Sequence, residues 1–216
     1  MFTVLLTGFE PFDGAADNPS RAAVLALAAA PPPPGTRIVA EILPVSYAHA
    51  ADALRSAVRR HRPDILIAVG LAGGRAEISV ERVAINVDDA RIADNDGTRR
   101  IDTPVIEGGP AAYFSTLPIK AVAAAIRAAG VPARVSQTAG TFLCNHVFYQ
   151  ACHLAEAEAA GMRVGFLHVP WLPEQAADHP GEPSMALASL VAGLRAAIEA
   201  TRDTAADLRV AAGAVS

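Results

Sequence analysis

Asp64-Ile65-Leu66-Ile67-Ala68-Val69 follows a proline and is apolar at every position after the first. No polar residue breaks the run to mark a solvent face. A strand covered on both faces reads this way, and such strands sit at the centre of parallel sheets. Strand-like and helix-like segments alternate outward from it. On the amino-terminal side, residues 46–60 form a helix with Tyr47, Ala50, Leu54 and Val58 on one face, ended by Pro63. Before it lie a strand at 37–43 and a proline run at 31–34. A helix starts at Asn18-Pro19-Ser20, with asparagine as cap and proline at the first helical position. Residues 2–7 form the first strand.

On the carboxyl-terminal side, residues 78–87 read as one strand with partial alternation. Residues 88–103 are polar without helical period and read as a long loop, the kind that is usually functional or mobile. A helix at 118–129 stops at Gly130, and a strand follows at 133–136. An amphipathic helix runs from 147 to 160, a core strand covers 163–169, and the last long helix spans 184–201. This alternation predicts an α/β fold with a mostly parallel central sheet and helices on both faces, an open α/β/α sandwich. No repeat or linker divides the chain, so residues 1–216 read as a single domain. Active sites of such folds lie at the carboxyl ends of strands. Cys144 follows one strand and His168 ends another.

Composition narrows the function. Hydrophobic residues make up 52% of the 216, enough for a large core. The formal net charge is -4 and no basic run occurs, which argues against nucleic acid as a partner. The longest uninterrupted apolar run, 22–30, is far too short to span a membrane. No positive charge precedes the apolar residues at the amino terminus, so they read as a strand and not as a secretion signal. The two cysteines, Cys144 and Cys152, would lie about 12 Å apart along one helix. A disulfide between them is excluded, and reduced thiols in the cytoplasm are expected.

The chemistry centres on Thr138-Ala139-Gly140-Thr141-Phe142-Leu143-Cys144-Asn145-His146. Small and polar residues lead a cysteine into the first turn of a helix. Unpaired amides and the helix dipole there are expected to lower the thiol below its usual pKa of about 8.5. The plainer alternative is a small buried hydrophobe, the usual fate of a free cysteine. Nucleophilic hydrolysis by a thiol also needs an imidazole and a group that orients it. Of the six histidines, His168 is best placed, because it closes an apolar strand beside a loop. The orienting acid could be Glu81, Asp88, Asp89, Asp94 or Asp96, and periodicity does not choose among them. Glu81 beside Arg82 also reads as a surface ion pair. Gly70-Leu71-Ala72-Gly73-Gly74 hints at phosphate binding, but a strand follows it where a dinucleotide fingerprint needs a helix. Cys144, His146, His153 and His168 could be imagined around a metal, yet no ligand-spacing motif supports one.

Several motifs together resemble one family. They are Thr7-Gly8-Phe9-Glu10-Pro11-Phe12, Asn18-Pro19-Ser20, Glu81-Arg82-Val83-Ala84-Ile85-Asn86, Asp89-Ala90-Arg91-Ile92, Gly109-Pro110-Ala111-Ala112-Tyr113, Ser136 to Tyr149 around Cys144, and Phe166-Leu167-His168-Val169-Pro170 with Leu172-Pro173-Glu174-Gln175. In order and over nearly the whole chain they resemble pyrrolidone-carboxylate peptidases (pyroglutamyl peptidase type I). The resemblance implies a cysteine exopeptidase that cleaves after an N-terminal pyroglutamyl residue, through a thioester. It implies Cys144 as nucleophile, His168 as general base and Glu81 as orienting carboxylate. It also implies Phe9, Phe12, Leu71 and Leu143 at the substrate, with Arg91 beside the reacting carbonyl. No metal or cofactor is implied, and a cytoplasmic homotetramer is. The chain departs from the family pattern at Leu71, where glutamine is common, at Asp13, where glycine is frequent, and at Trp171, where a smaller aromatic is frequent. A hydrolase of another small amide or nucleoside-like ligand, and a non-catalytic binding protein, are the competing readings.

Overall fold

The computed structural model describes residues 1–213. Its elements in chain order are β1 (Phe2–Phe9), α1 (Pro19–Ala29), β2 (Thr36–Leu43), α2 (Ala50–His61), β3 (Ile65–Leu71), β4 (Ile78–Glu81), β5 (Val83–Ile85), β6 (Ala112–Phe114), α3 (Ile119–Ala128), β7 (Ala133–Ser136), α4 (Leu143–Ala157), β8 (Arg163–Val169), α5 (Pro173–Ala176) and α6 (Leu187–Asp203). Six strands form the main sheet in the order β2-β1-β3-β8-β4-β7. β2, β1, β3 and β8 run parallel, whereas β4 runs against β8 and takes β7 with it. The mostly parallel α/β sheet expected from the alternation is present. β5 and β6 make a separate antiparallel pair.

Alternation along the central strands sorts their side chains to two cores. Val4, Leu6, Ile65, Ile67, Val69 and Leu167 face α1, α3 and α6. Leu5, Leu66, Ala68 and Phe166 face α2 and α4. With both faces covered, β3 is buried over residues 65–70, as its apolar run requires. Each such Leu or Ile contributes about 1.5–3 kcal/mol of transfer free energy.

Local signals set most boundaries. The Asn18 side chain accepts from the Ser20 amide at 3.0 Å and caps α1, with Pro19 at the first helical position. α2 ends one residue earlier than Pro63 alone requires, because Arg62 adopts a left-handed conformation with φ 44°. The chain before α2 differs from expectation: residues 47–49 form a turn, not helix, and Tyr47 still packs inward. The single strand expected over 78–87 is two. The chain breaks at Arg82, so β4 stays in the main sheet while β5 joins β6. Short β6 and α5 have no periodic signature, and the sequence reading missed both.

Gly8 permits the close seating of α1 on the end of β1. A Cβ there would lie 2.9 Å from the Ser20 carbonyl oxygen and 3.0 Å from the Arg21 nitrogen, both backbone atoms. Backbone cannot swing aside as a side chain can. Gly8→Ala is therefore expected to destabilise the fold by about 1–3 kcal/mol. A denaturant midpoint equal to that of the parent protein would contradict this close approach.

Candidate active site

His168 is the sixth residue of β8, opposite Gly70 of β3 on one side and Ser79 of β4 on the other. Glu81 lies two residues beyond Ser79, so it shares that sheet face and becomes the diagonal neighbour of His168. The carboxylate meets the ring there, with His168 Nδ1 and Glu81 Oε1 2.8 Å apart. Glu81 is fully buried and His168 is 4% exposed. Arg75, in the β3–β4 loop, donates to the same oxygen at 2.7 Å and reaches the Thr138 carbonyl at 3.3 Å. Burial alone would raise Glu81. The bond and charge of His168, with contacts from Ser136 and Arg75, outweigh it and hold the carboxyl below its ordinary value. Burial also lowers His168, against the opposing pull of Glu81. The resting pair is a carboxylate and a neutral imidazole, with Nε2 left to face the other way.

Cys144 enters from α4. Gly140, with φ 75°, makes the turn before the helix, and Phe142 stands at the cap position. No side chain caps this end. The first-turn amides of Leu143 and Cys144 thus have no helical partner. The sulfur rests over Gly70, where a Cβ would lie 2.7 Å from Sγ and 2.8 Å from Phe166 Cζ. Because Gly70 is register partner to His168, the sulfur and the imidazole share one sheet face. The expectation that both follow the carboxyl ends of parallel strands needs correction. β7 runs against β8, and its end at Ser136 pairs with Glu81, behind the Ser79–His168 pair. The loop 137–142 carries the chain back.

The expected lowering of the thiol is also not found. Burial, followed by the negative charge of Glu81, pushes Cys144 up to about 12, with Arg75 opposing. The sulfur is enclosed by strand backbone and the Phe166 ring, and an anion sits nearby. The thiol, and not the thiolate, is the form this environment favours.

Phe9, Phe12, Leu71, Leu143, Cys144 and His168 line a cavity of about 170 Å³, completed by Val45, Phe142 and small residues of the 139–141 turn. Glu81 stands behind His168. Arg91 is not brought to this wall. It is exposed and faces a neighbouring cleft, which it shares with Phe12 and Leu71. The unpaired amides at the start of α4, not this guanidinium, lie beside the sulfur.

Of the five candidate acids, Glu81 alone touches His168. Asp88 is buried and accepts from His146 Nδ1 and Arg100, each at 2.9 Å. Asp89 exchanges backbone and hydroxyl bonds with Thr141. Asp94 accepts from the Tyr47 amide at 2.8 Å, and Asp96 from the Ser46 hydroxyl. The residues imagined around a metal are bound apart: His146 to Asp88, His153 to the Tyr113 hydroxyl and His168 to Glu81. Both cysteines are free thiols. Among the described residues, no helix is long and apolar enough to cross a membrane.

The sequence reading missed Arg75, which sits in the glycine loop with no motif to mark it. It also missed how the Cys144 turn is pinned. Asn145 accepts from the Ile85 amide at 2.9 Å and donates to the carbonyls of Ile85 and Val87. These bonds and the His146–Asp88 pair tie both residues after the cysteine to the segment following β4.

A thiol, a carboxylate-held imidazole and free amides around a small uncharged pocket are the parts that nucleophilic hydrolysis of an amide requires. Comparison with known proteins agrees. A family model described as pyroglutamyl peptidase matches residues 2–204. The chain is 58% identical to a pyrrolidone-carboxylate peptidase of Cupriavidus taiwanensis, over 99% of each chain. It is 54% identical to one of Klebsiella pneumoniae, also over 99% of each. The crystal structure of Bacillus amyloliquefaciens pyroglutamyl peptidase I superposes with a TM-score of 0.92 at 42% identity, covering 96% of this chain and 100% of that one. The chain belongs to the pyroglutamyl peptidase family.

Asp88 tests how the cysteine turn is braced. Asp88→Asn leaves the His146 and Arg100 donors without a charged acceptor in a buried setting. The expected cost is on the order of 2–3 kcal/mol, read from chemical denaturation. Unchanged stability would show that the cluster does not hold the turn.

Proposed function

We propose that this protein hydrolyses the amide bond after an N-terminal pyroglutamyl residue of peptides, with Cys144 as nucleophile, His168 as general base and Glu81 as the carboxylate that orients it. The observation that carries this reading is the buried Glu81–His168 bond on the sheet face where the Cys144 sulfur rests over Gly70. Family membership supports the same activity.

The pyroglutamyl ring is a small neutral lactam. Phe9, Phe12, Leu71 and Leu143 offer apolar walls without a charged group, which suits such a ring better than a free amino terminus. As the sulfur attacks the carbonyl, His168 takes its proton. The carbonyl oxygen becomes an oxyanion held by the amides at the start of α4. One good donor of this kind is worth about 10²–10³ in rate. Glu81 stabilises the imidazolium formed, and Arg75 keeps Glu81 ionised. His168 then returns the proton to the leaving amine. Water, activated by the same ring, hydrolyses the thioester. We further propose, on family resemblance, that the protein works in the cytoplasm as a homotetramer. Exposed Phe114 and Ile101 are apolar surface that such an assembly would cover.

Three measurements test the reading. Cys144→Ser is expected to lose turnover of a fluorogenic pyroglutamyl amide by about 10⁴-fold or more while staying folded, whereas Cys152→Ser keeps most of it. Retained turnover in Cys144→Ser would remove the nucleophile. Gly70→Ala places a methyl where the sulfur rests, and about 10²-fold loss of kcat is expected from the displacement. The base must be neutral to accept a proton, so activity falls as pH drops through the His168 pKa. Burial holds that pKa below its ordinary 6.5. The acid limb of kcat/KM is therefore expected below the usual histidine range, and a limb at or above pH 7 would contradict the assignment.

A further inference from the structure

A second cleft of about 410 Å³ adjoins the lactam pocket and shares its walls Phe12 and Leu71. We propose, resting on the function above, that this cleft receives the peptide beyond the scissile bond and favours a cationic over an anionic side chain on the first leaving residue.

Continuity is the first argument. A substrate whose lactam fills the inner pocket must leave it past the thiol and imidazole. Leu71 follows Gly70 on β3, and Trp171 follows His168 by three residues at the end of β8. Both stand just beyond the reacting groups, and both line the second cleft.

Construction is the second. Trp171 is fixed as a wall. Its ring stacks on His179 at 4.4 Å and 15°. Its Nε1 donates to Glu182, and the Gly73 backbone packs so tightly on it that a Cβ would lie 2.7 Å from that nitrogen. The two sides of the cleft are joined at Gln175, which donates to the Asp17 carbonyl at 3.0 Å. The site is built before substrate arrives.

Charge is the third. Asp13, Asp17 and Glu182 carry carboxylates at the cleft, against the Arg91 guanidinium and the His179 ring. Asp17 is met by Arg21 at 3.0 Å. Asp13 and Glu182 then share the cleft with Arg91, two carboxylates against one guanidinium. Asp13 is the addressable charge. It sits at φ 54°, a left-handed conformation that asparagine shares readily, so Asp13→Asn removes the charge and keeps the turn.

Trp171 is the chain's single tryptophan, so its emission reports on this cleft alone. The experiment titrates 5-oxoprolinamide, pyroglutamyl-lysine amide and pyroglutamyl-glutamate amide into Cys144→Ala, following Trp171 fluorescence and calorimetric heat together. The two dipeptide amides are expected to shift the emission, and 5-oxoprolinamide to bind without doing so. In the active enzyme at low salt, kcat/KM for the lysine substrate should exceed that for the glutamate substrate roughly two- to fivefold. The ratio should shrink with added salt and in Asp13→Asn. Dipeptide binding by heat with no change in emission would overturn the proposal, as would a ratio of one. Calorimetric binding of 5-oxoprolinamide reports on the lactam pocket separately, so a failed cleft and a failed function give different results.

Discussion

The bond between His168 and Glu81 governs the site. A buried carboxylate is costly unless its charge is met, and here a ring N–H and a guanidinium meet it at one oxygen. In return the carboxylate fixes the imidazole tautomer, because Nδ1 is engaged and Nε2 is turned toward the pocket. Ring orientation and ring charge follow from that contact. Arg75 belongs to the same unit. Its contact adds to those of His168 and Ser136 that hold Glu81 below its ordinary value.

The thiol shows how two local effects compete. A helix start stabilises an anion by at most a few tenths to about 2 kcal/mol, and the effect fades within one turn. Burial against Gly70 and Phe166, with Glu81 nearby, acts in the opposite direction. In the mechanism proposed above, the free amides act on the substrate oxygen, where charge appears only during reaction.

The sheet was legible because its strands are continuous apolar runs and its helices carry clean start and stop residues: Asn18-Pro19, Pro63 and Gly130. The positions of Cys144 and His168 were legible from local context, a cysteine at a helix start and a histidine near a strand end. Partner identity was not. Glu81 lies within one apparent strand and Asp88 just past it, and each holds a histidine. Only the break at Arg82 and the reversal of β4 decide which histidine each meets. Those are tertiary facts, since a strand of four residues has no periodicity to show its direction. Arg91 lines the neighbouring cleft and not the wall beside Cys144 for a related reason: a motif gives proximity in sequence, whereas that cleft is set by loops from three other parts of the chain.

The reversal of β4 has a second effect. A strand running against β8 sends the chain away from the pocket after Glu81, into β5 and then the long loop from Asp88. That path brings Asp88 and Asp89 against the opposite side of the α4 turn, where His146 and Thr141 take them, while Asn145 seals the gap to β5. The same reversal sets Glu81 beside His168 and lays the brace beneath Cys144. The His168 ring and the Cys144 turn are thus held by one short segment, residues 81–89. A shift of that segment would move both, so their relative geometry is protected even where their absolute positions yield.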